Sequence, residues 1–310
     1  MSEKVSVGFI GVGLMGHGMA KNLLEKGHPL VVKGNRNRAP VEDLLARGAT
    51  EVTTPREVAE ACEVIHICLS NAPQVESVFR GPDGILAGMR DGLIVVECST
   101  SDPNVTLALA AELAERGGHM VDAPLGRTPK EAEAGTLDAM VGADAAVFQR
   151  ILPVLECWAG NINHVGPVGA GHKMKLIMNT IAMSYAALYA EVTCLGAKVG
   201  IPPSTVQRVI GSSRLGNGFF DTFMSYAVDR DRDAHKFSIA NASKDVRYAL
   251  AMAAEAGALS PMASATRQYF AQVEAQGYAD DYVPFLSDHV ARMNGLDLEQ
   301  EAKKGRDNAD

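Results

Sequence analysis

Cysteine, positive charge and long apolar runs are all scarce in this sequence, and each scarcity excludes a class of protein. The five cysteines (Cys62, Cys68, Cys98, Cys157 and Cys194) are an odd number with no Cys-x-x-Cys pair, which argues against a disulfide framework or a zinc-binding arrangement. Buried, reduced thiols in a cytoplasmic protein are the simpler expectation. A formal charge of −8 argues against nucleic acid or an anionic membrane as the main partner, while leaving room for a local positive pocket. No apolar run reaches the about 18 residues of a membrane span, because Asn179, Thr180 and Ser184 break the longest. The chain passes from Met1 into a strand pattern at Val5 without the apolar core of a signal peptide. Repeats and low-complexity tracts are missing as well. What remains is a globular composition, 47% apolar and 21% charged, and 310 residues are enough for two cores.

Val5 to Ile10 reads as a short buried strand, and Gly11-Val12-Gly13-Leu14-Met15-Gly16 follows at once. Helical spacing then runs from Met15 to Lys26. A strand, G-x-G-x-x-G and a helix in that order point to a dinucleotide site. Gly11 permits a tight turn, Gly13 lets backbone approach a pyrophosphate, and Gly16 lets the helix pack on the strand, with Leu14 and Met15 between them. The second strand, Leu30 to Val32, ends in Lys33-Gly34-Asn35-Arg36-Asn37-Arg38 with no acid before Glu42. A strand-end carboxylate would accept from the ribose of NAD, whereas Asn35 and Arg36 suit a 2′-phosphate. The expected cofactor is therefore NADP, with NAD possible.

Further strands are expected at Glu63 to Leu69, Leu93 to Glu97, His119 to Ala123 and Thr136 to Val141. Ligands of open α/β sheets gather at the carboxyl ends of the strands. Asn71, Ser99, Thr100 and the segment after Asp122 should thus face one crevice, with Leu69, Ser70 and Asn71 as candidate cofactor contacts.

From Gly166 to Gly200 the sequence changes character. Gly166-Pro167-Val168-Gly169-Ala170-Gly171 opens a nearly unbroken helical pattern, of about 28 residues and roughly 40 Å, over residues 170–198. Lys175 and Asn179 stand one turn apart on one face of it, and His172 lies three residues before the lysine. A core lysine can simply snorkel to solvent. His172 offers a second candidate proton carrier, since an unperturbed imidazole titrates nearer neutrality. Beyond Pro202 the pattern is helical throughout, with helices from Ser204, Phe219 to Val228, Ile239 to Ala256, Ser264 to Glu274 and Phe285 to Met293. The charged tail from Asp297 is expected to be exposed or frayed.

These motifs together resemble the β-hydroxyacid dehydrogenase family, relatives of 6-phosphogluconate dehydrogenase and 3-hydroxyisobutyrate dehydrogenase. The resemblance covers roughly Val5 to Val290. It rests on Gly11 to Leu23, on Glu97-Cys98-Ser99-Thr100, on Asp122 to Thr128, on Gly166 to Asn179 and on Lys244-Asp245. It implies an N-terminal α/β Rossmann doubly wound domain (residues 1–165) joined through a long interdomain helix to an all-α domain (residues 166–310). It also implies an NAD(P)-dependent oxidoreductase acting on a small anionic C3–C4 3-hydroxy acid or its semialdehyde, assembled as a homodimer or homotetramer. Lys175 falls at the catalytic lysine and Asn179 beside it. Thr100, Gly126, Arg127, Thr128 and Lys244 fall at substrate positions, and Thr100, Lys244 and Asp245 also near the cofactor.

Two positions depart from the pattern. Met178 replaces the first of two asparagines, and Gly126-Arg127-Thr128 stands where Ser-Gly-Gly is usual. An added guanidinium would suit a group with three oxygens, which makes a sulfonate the alternative to a carboxylate substrate. Gly-Arg-Thr here also resembles the sulfolactaldehyde reductase branch, where Lys173 would match a basic position. The same arginine could instead turn outward onto Glu131. Imine reductases and non-catalytic dinucleotide-binding scaffolds share the fold, and retention of Lys175 with Asn179 argues against both.

Overall fold

The computed structural model describes residues 4–307, with side chains as far as Lys304. It divides into two compact units, Met1–Lys175 and Leu176–Asp310.

The first unit alternates strand and helix. β1 (Val7–Ile10), α1 (Gly16–Glu25), β2 (Leu30–Lys33), α2 (Ala39–Ala46), β3 (Thr50–Val52), α3 (Pro55–Ala61), β4 (Val64–Ile67) and α4 (Ala72–Arg80) form its first half. β5 (Ile94–Glu97), α5 (Pro103–Ala114), β6 (His119–Asp122), β7 (Leu125–Gly126), α6 (Pro129–Ala134), β8 (Leu137–Gly142), α7 (Ala145–Leu155) and β9 (Ala159–Gly166) follow. The sheet order is β3-β2-β1-β4-β5-β6-β8-β7, with β9 paired to β8. The first six strands are parallel, in the order of a doubly wound dinucleotide-binding sheet. β8 reverses direction against β6 and β7. β1 and β4 are buried end to end because helices cover both faces. Alternate side chains divide between two cores: Val7 and Phe9 join one, Ile10, Ile65 and Ile67 the other.

α8 (Ala170–Lys198) begins in the first unit and continues through the second. The rest of the second unit is helical: α9 (Pro203–Gly211), α10 (Gly218–Ala227), α11 (Ile239–Glu255), α12 (Pro261–Ala275), α13 (Leu286–Met293) and α14 (Leu298–Asp307). Its core is packed by Phe220, Phe223, Met224 and Phe270 against Met183, Ala186 and Ala190 of α8. Of the tail expected to be exposed or frayed, Asp297, Glu299, Gln300, Lys303 and Lys304 are exposed, but the stretch folds as α14. Leu298 and Ala302, four apart on one face, are buried at 2% and 0% exposure and tie the helix down despite its charge. Residues 308–310 lie outside the described part, as do residues 1–3 of the expected leaderless start. Among the described residues no helix is long and apolar enough to cross a membrane.

Candidate active site

β1 delivers the chain to Gly11, whose φ of +98° lies in the region that favours glycine. A Cβ there would overlap the Cys68 carbonyl, and one on Gly16 would overlap the Gly11 carbonyl, so α1 starts against β1 only with these residues. Nothing lies within 4 Å of a Cβ position on Gly13, and Gly13 and Leu14 are exposed. α1 carries no side-chain cap and no acid in its first turn. Its free N–H groups and the positive end of its dipole therefore meet an open ledge. The chemistry fits a dinucleotide diphosphate.

Asn35 and Arg36 follow β2 and are exposed. Arg38 is engaged elsewhere: Nη1 and Nη2 donate in parallel to the two Glu51 carboxylate oxygens, each at 2.7 Å. Arg36 shows no such clamp. At the end of β4, the Leu69 N–H donates to Ser99 Oγ at 2.9 Å and the Ser70 N–H to Gln74 Oε1 at 3.1 Å. Asn71 Oδ1 accepts from the Gln74 N–H at 3.0 Å and caps α4.

The segments that the sequence assigned to substrate follow the carboxyl ends of β5 and β6. Thr100 is half-buried. Gly126 lies in β7, paired with Asp138 of β8. Arg127 is exposed and has a φ of +75°, a left-handed conformation that a non-glycine residue rarely adopts. Its Nε sits 3.1 Å from Asp138 Oδ2. The outward pairing weighed from the sequence is thus made with Asp138, because Glu131 is occupied with Thr128: its carboxylate accepts the Thr128 N–H at 3.1 Å and the hydroxyl as well.

α8 starts at the same strand ends. The Asp122 carboxylate accepts from the Gly169 N–H at 2.6 Å and the His172 N–H at 2.8 Å, capping the helix from β6. His172 is wholly buried. Its Nε2 lies 3.0 Å from the Ser99 carbonyl and 3.0 Å from Glu97 Oε2, and its Nδ1 lies 2.8 Å from Thr106 Oγ. Burial alone would lower the His172 pKa, but the charge and hydrogen bond of Glu97, the charge of Asp122 and the Ser99 carbonyl outweigh it and hold the imidazole above its usual value. Burial pushes the Asp122 carboxyl upward, against the His172 charge and the two N–H donors. The sequence pointed to His172 as a rival proton carrier; a ring with no exposed surface and both nitrogens engaged is not placed for that work. Lys175, one turn on, is half-buried.

In the second unit, Asn179 is buried and donates from Nδ2 to Asp245 Oδ2 at 2.6 Å. Lys244 Nζ sits 3.2 Å from Asp245 Oδ1. The amide, the carboxylate and the ammonium therefore form one cluster between α8 and α11.

All five cysteines are free, and burial pushes the Cys62 and Cys68 thiols up to about 12, so neither is a thiolate nucleophile near neutral pH.

Comparison with known proteins agrees with this layout. Residues 6–166 match the model of the NAD binding domain of 6-phosphogluconate dehydrogenase. Residues 169–286 match that of the NAD-binding region of NADP-dependent 3-hydroxyisobutyrate dehydrogenase. The chain is 37% identical to 2-(hydroxymethyl)glutarate dehydrogenase of Eubacterium barkeri, over 96% of this chain and 99% of that one. It is 32% identical to 3-sulfolactaldehyde reductase of Escherichia coli, over 88% and 91%. A crystal structure of 3-hydroxyisobutyrate dehydrogenase from Salmonella typhimurium superposes with a TM-score of 0.82 at 28% identity, covering 92% of this chain and 99% of that one. The α/β sheet followed by a helical region matches these relatives, and the chain belongs to the β-hydroxyacid dehydrogenases, NAD(P)-dependent oxidoreductases acting on the CH–OH group.

Proposed function

We propose that this enzyme interconverts a small anionic 3-hydroxy acid and its semialdehyde, with Lys175 moving the proton. The observation that carries the proposal is the start of α8. The Asp122 carboxylate fixes it at the carboxyl ends of β5 and β6, so Lys175 follows within the same unit as Thr100 and Gly126. When bound, the nicotinamide supplies or accepts the hydride. Lys175 Nζ donates a proton to the aldehyde oxygen during reduction and removes it from the alcohol during oxidation. The Thr100 hydroxyl and the Gly126–Thr128 segment hold the substrate anion. Asn179 orients the lysine or the substrate, and Lys244 with Asp245 adds charge for the substrate anion and the cofactor.

A carboxylate substrate of three to six carbons fits this set. The E. barkeri relative is named for a hydroxymethyl dicarboxylate, and the E. coli relative for a sulfonate aldehyde. Arg127 favours a second reading, that the substrate carries a second carboxylate or, in place of a carboxylate, a sulfonate. Turnover with NADPH or NADP should be screened over 2-(hydroxymethyl)glutarate, 3-hydroxyisobutyrate, sulfolactaldehyde and the tartronate, succinate and methylmalonate semialdehydes. Binding of cofactor with no turnover of any of them would sink the proposal.

NADP(H) is the preferred cofactor on this reading, because Arg36 is open and Arg38 is taken by Glu51. A charge-assisted bond to a phosphate contributes about 1.5–3 kcal/mol, so Arg36→Ala should lower kcat/KM for NADPH by roughly tenfold or more and leave NADH nearly unchanged. Steady-state kinetics with both cofactors decides this. An equal loss for both would mean the 2′-phosphate is not what Arg36 reads. The protein is cytoplasmic and assembles as a homodimer or homotetramer, which sedimentation of the purified enzyme would test.

A further inference from the structure

Glu97, Asp122 and His172 are three ionisable groups buried at 0–1% exposure in the first unit, and the proton transfer assigned to Lys175 uses none of them. Hydrogen-bond accounting sets the state of the imidazole. Nε2 faces two groups that only accept, the Ser99 carbonyl and the Glu97 carboxylate, so it carries a hydrogen. At Nδ1 the neighbour is the Thr106 hydroxyl at 2.8 Å, whose one hydrogen also has the Asp102 carbonyl within reach at 3.2 Å. With that hydrogen on the carbonyl, the hydroxyl accepts and Nδ1 carries a hydrogen too, with Asp122 Oδ2 4.0 Å away. An imidazolium 3.0 Å from Glu97 Oε2 would also offset negative charge held away from water, where unpaired charge is costly.

The same ring ties together the pieces that surround the reaction. Glu97 Oε1 accepts the Ser99 N–H at 2.8 Å, and Ser99 Oγ accepts the Leu69 N–H. The His172 ring holds Ser99 from the carbonyl side, one residue before Thr100, and its backbone N–H holds the start of α8 to Asp122.

We propose that His172 is a fixed, buried imidazolium that acts as a positioning residue, locking the Ser99–Thr100 turn to the helix start that carries Lys175. The consequence for activity rests on the proposed roles of Thr100 and Lys175; the charge state does not. The titratable groups that face His172 are Glu97 from β5 and Asp122 from β6. Behind Glu97 stand the Cys68 and Cys98 thiols, which burial keeps protonated. With its pKa raised in the folded state, the stabilisation from His172 is complete below about 6.5 and is lost as pH rises through the folded value. Losing that proton releases the turn.

Histidine-selective nitrogen NMR of the full-length protein tests the charge directly, with the His172→Gln spectrum assigning the signal. Both ring nitrogens should be protonated at pH 7.5, and titration should occur above about 6.5. A neutral His172 at that pH overturns the proposal. Kinetics tests the positioning. Lys175 acting as a base predicts that alcohol oxidation rises with pH to a plateau. Release of the turn predicts a falling alkaline limb in that same direction, absent from His172→Gln.

His172→Gln should also lower kcat by tenfold or more, since misplacement on the order of 1 Å can cost about 10²-fold, while the cofactor Kd changes little. Glu97→Gln combined with His172→Gln removes both charges and should recover part of the loss. An unchanged kcat in a folded His172→Gln enzyme overturns the positioning role. If no hydroxy acid is turned over by the unaltered protein, the proposed substrate class has failed, and the NMR result still decides the imidazolium.

Discussion

Lys175→Ala should lower kcat by about 10²–10⁴ in both directions, the range of a positioned proton donor, and leave cofactor binding intact. The lysine follows a helix start held by Asp122 and is half-buried, so its ammonium can meet a substrate without being sealed from water. The diphosphate ledge at Gly11 to Gly16 is built by other residues, which is why the cofactor Kd should hold. His172 cannot take over the proton, because its ring has no exposed surface and both nitrogens are engaged. The sign of the pH dependence follows from the role. Reduction needs the ammonium and should fall as pH rises through the lysine's pKa, whereas oxidation needs the free amine and should rise. Single-turnover rates across pH, beside cofactor fluorescence titration of the mutant, measure both. A mutant that keeps more than about a tenth of the rate would leave Lys175 as a snorkelling lysine.

What the sequence disclosed was what short-range chemistry determines. The glycine ledge was legible because its strand, turn and helix are contiguous, and α8 because no proline interrupts it before Pro202. β3 and β7 escaped notice, being three and two residues long, and β9 because most of its residues are exposed and carry little apolar alternation. α14 was hidden by charge: its burial rests on Leu298 and Ala302, too few to outweigh the surrounding acids and lysines in a reading of composition. The family resemblance named candidate site residues, and contacts between partners far apart in the chain stayed illegible. His172 looked like a proton carrier because its ordinary pKa suits that work. Its partners Glu97 and Asp122 stand on other strands, and only the fold brings them to it. One signal was available: Glu97 ends the apolar strand Ile94-Val95-Val96, and a carboxylate there requires a partner.

Arg127→Gly should separate substrates with a second carboxylate or a sulfonate from those with a single carboxylate. A non-glycine residue at a φ of +75° is strained by on the order of 1 kcal/mol. The contact with Asp138 does not offset that, because both side chains are partly exposed and such surface pairs contribute about 0–1 kcal/mol. A residue kept in strain without structural return points to function. Glycine is the informative replacement, since it relaxes the backbone that alanine would leave strained. The variant should be as stable as the parent or slightly more so. Its kcat/KM for 2-(hydroxymethyl)glutarate or sulfolactaldehyde should fall by roughly 10–10²-fold, the loss of charge-assisted bonds to the second carboxylate of the one or the sulfonate of the other. For 3-hydroxyisobutyrate, which has a single carboxylate, it should stay within about twofold, because no such bond is made to it. The ratio of the two losses is the measurement that matters. Equal losses would mean that Arg127 shapes the segment and does not read the substrate. No loss for any substrate would leave it as a surface residue paired to Asp138.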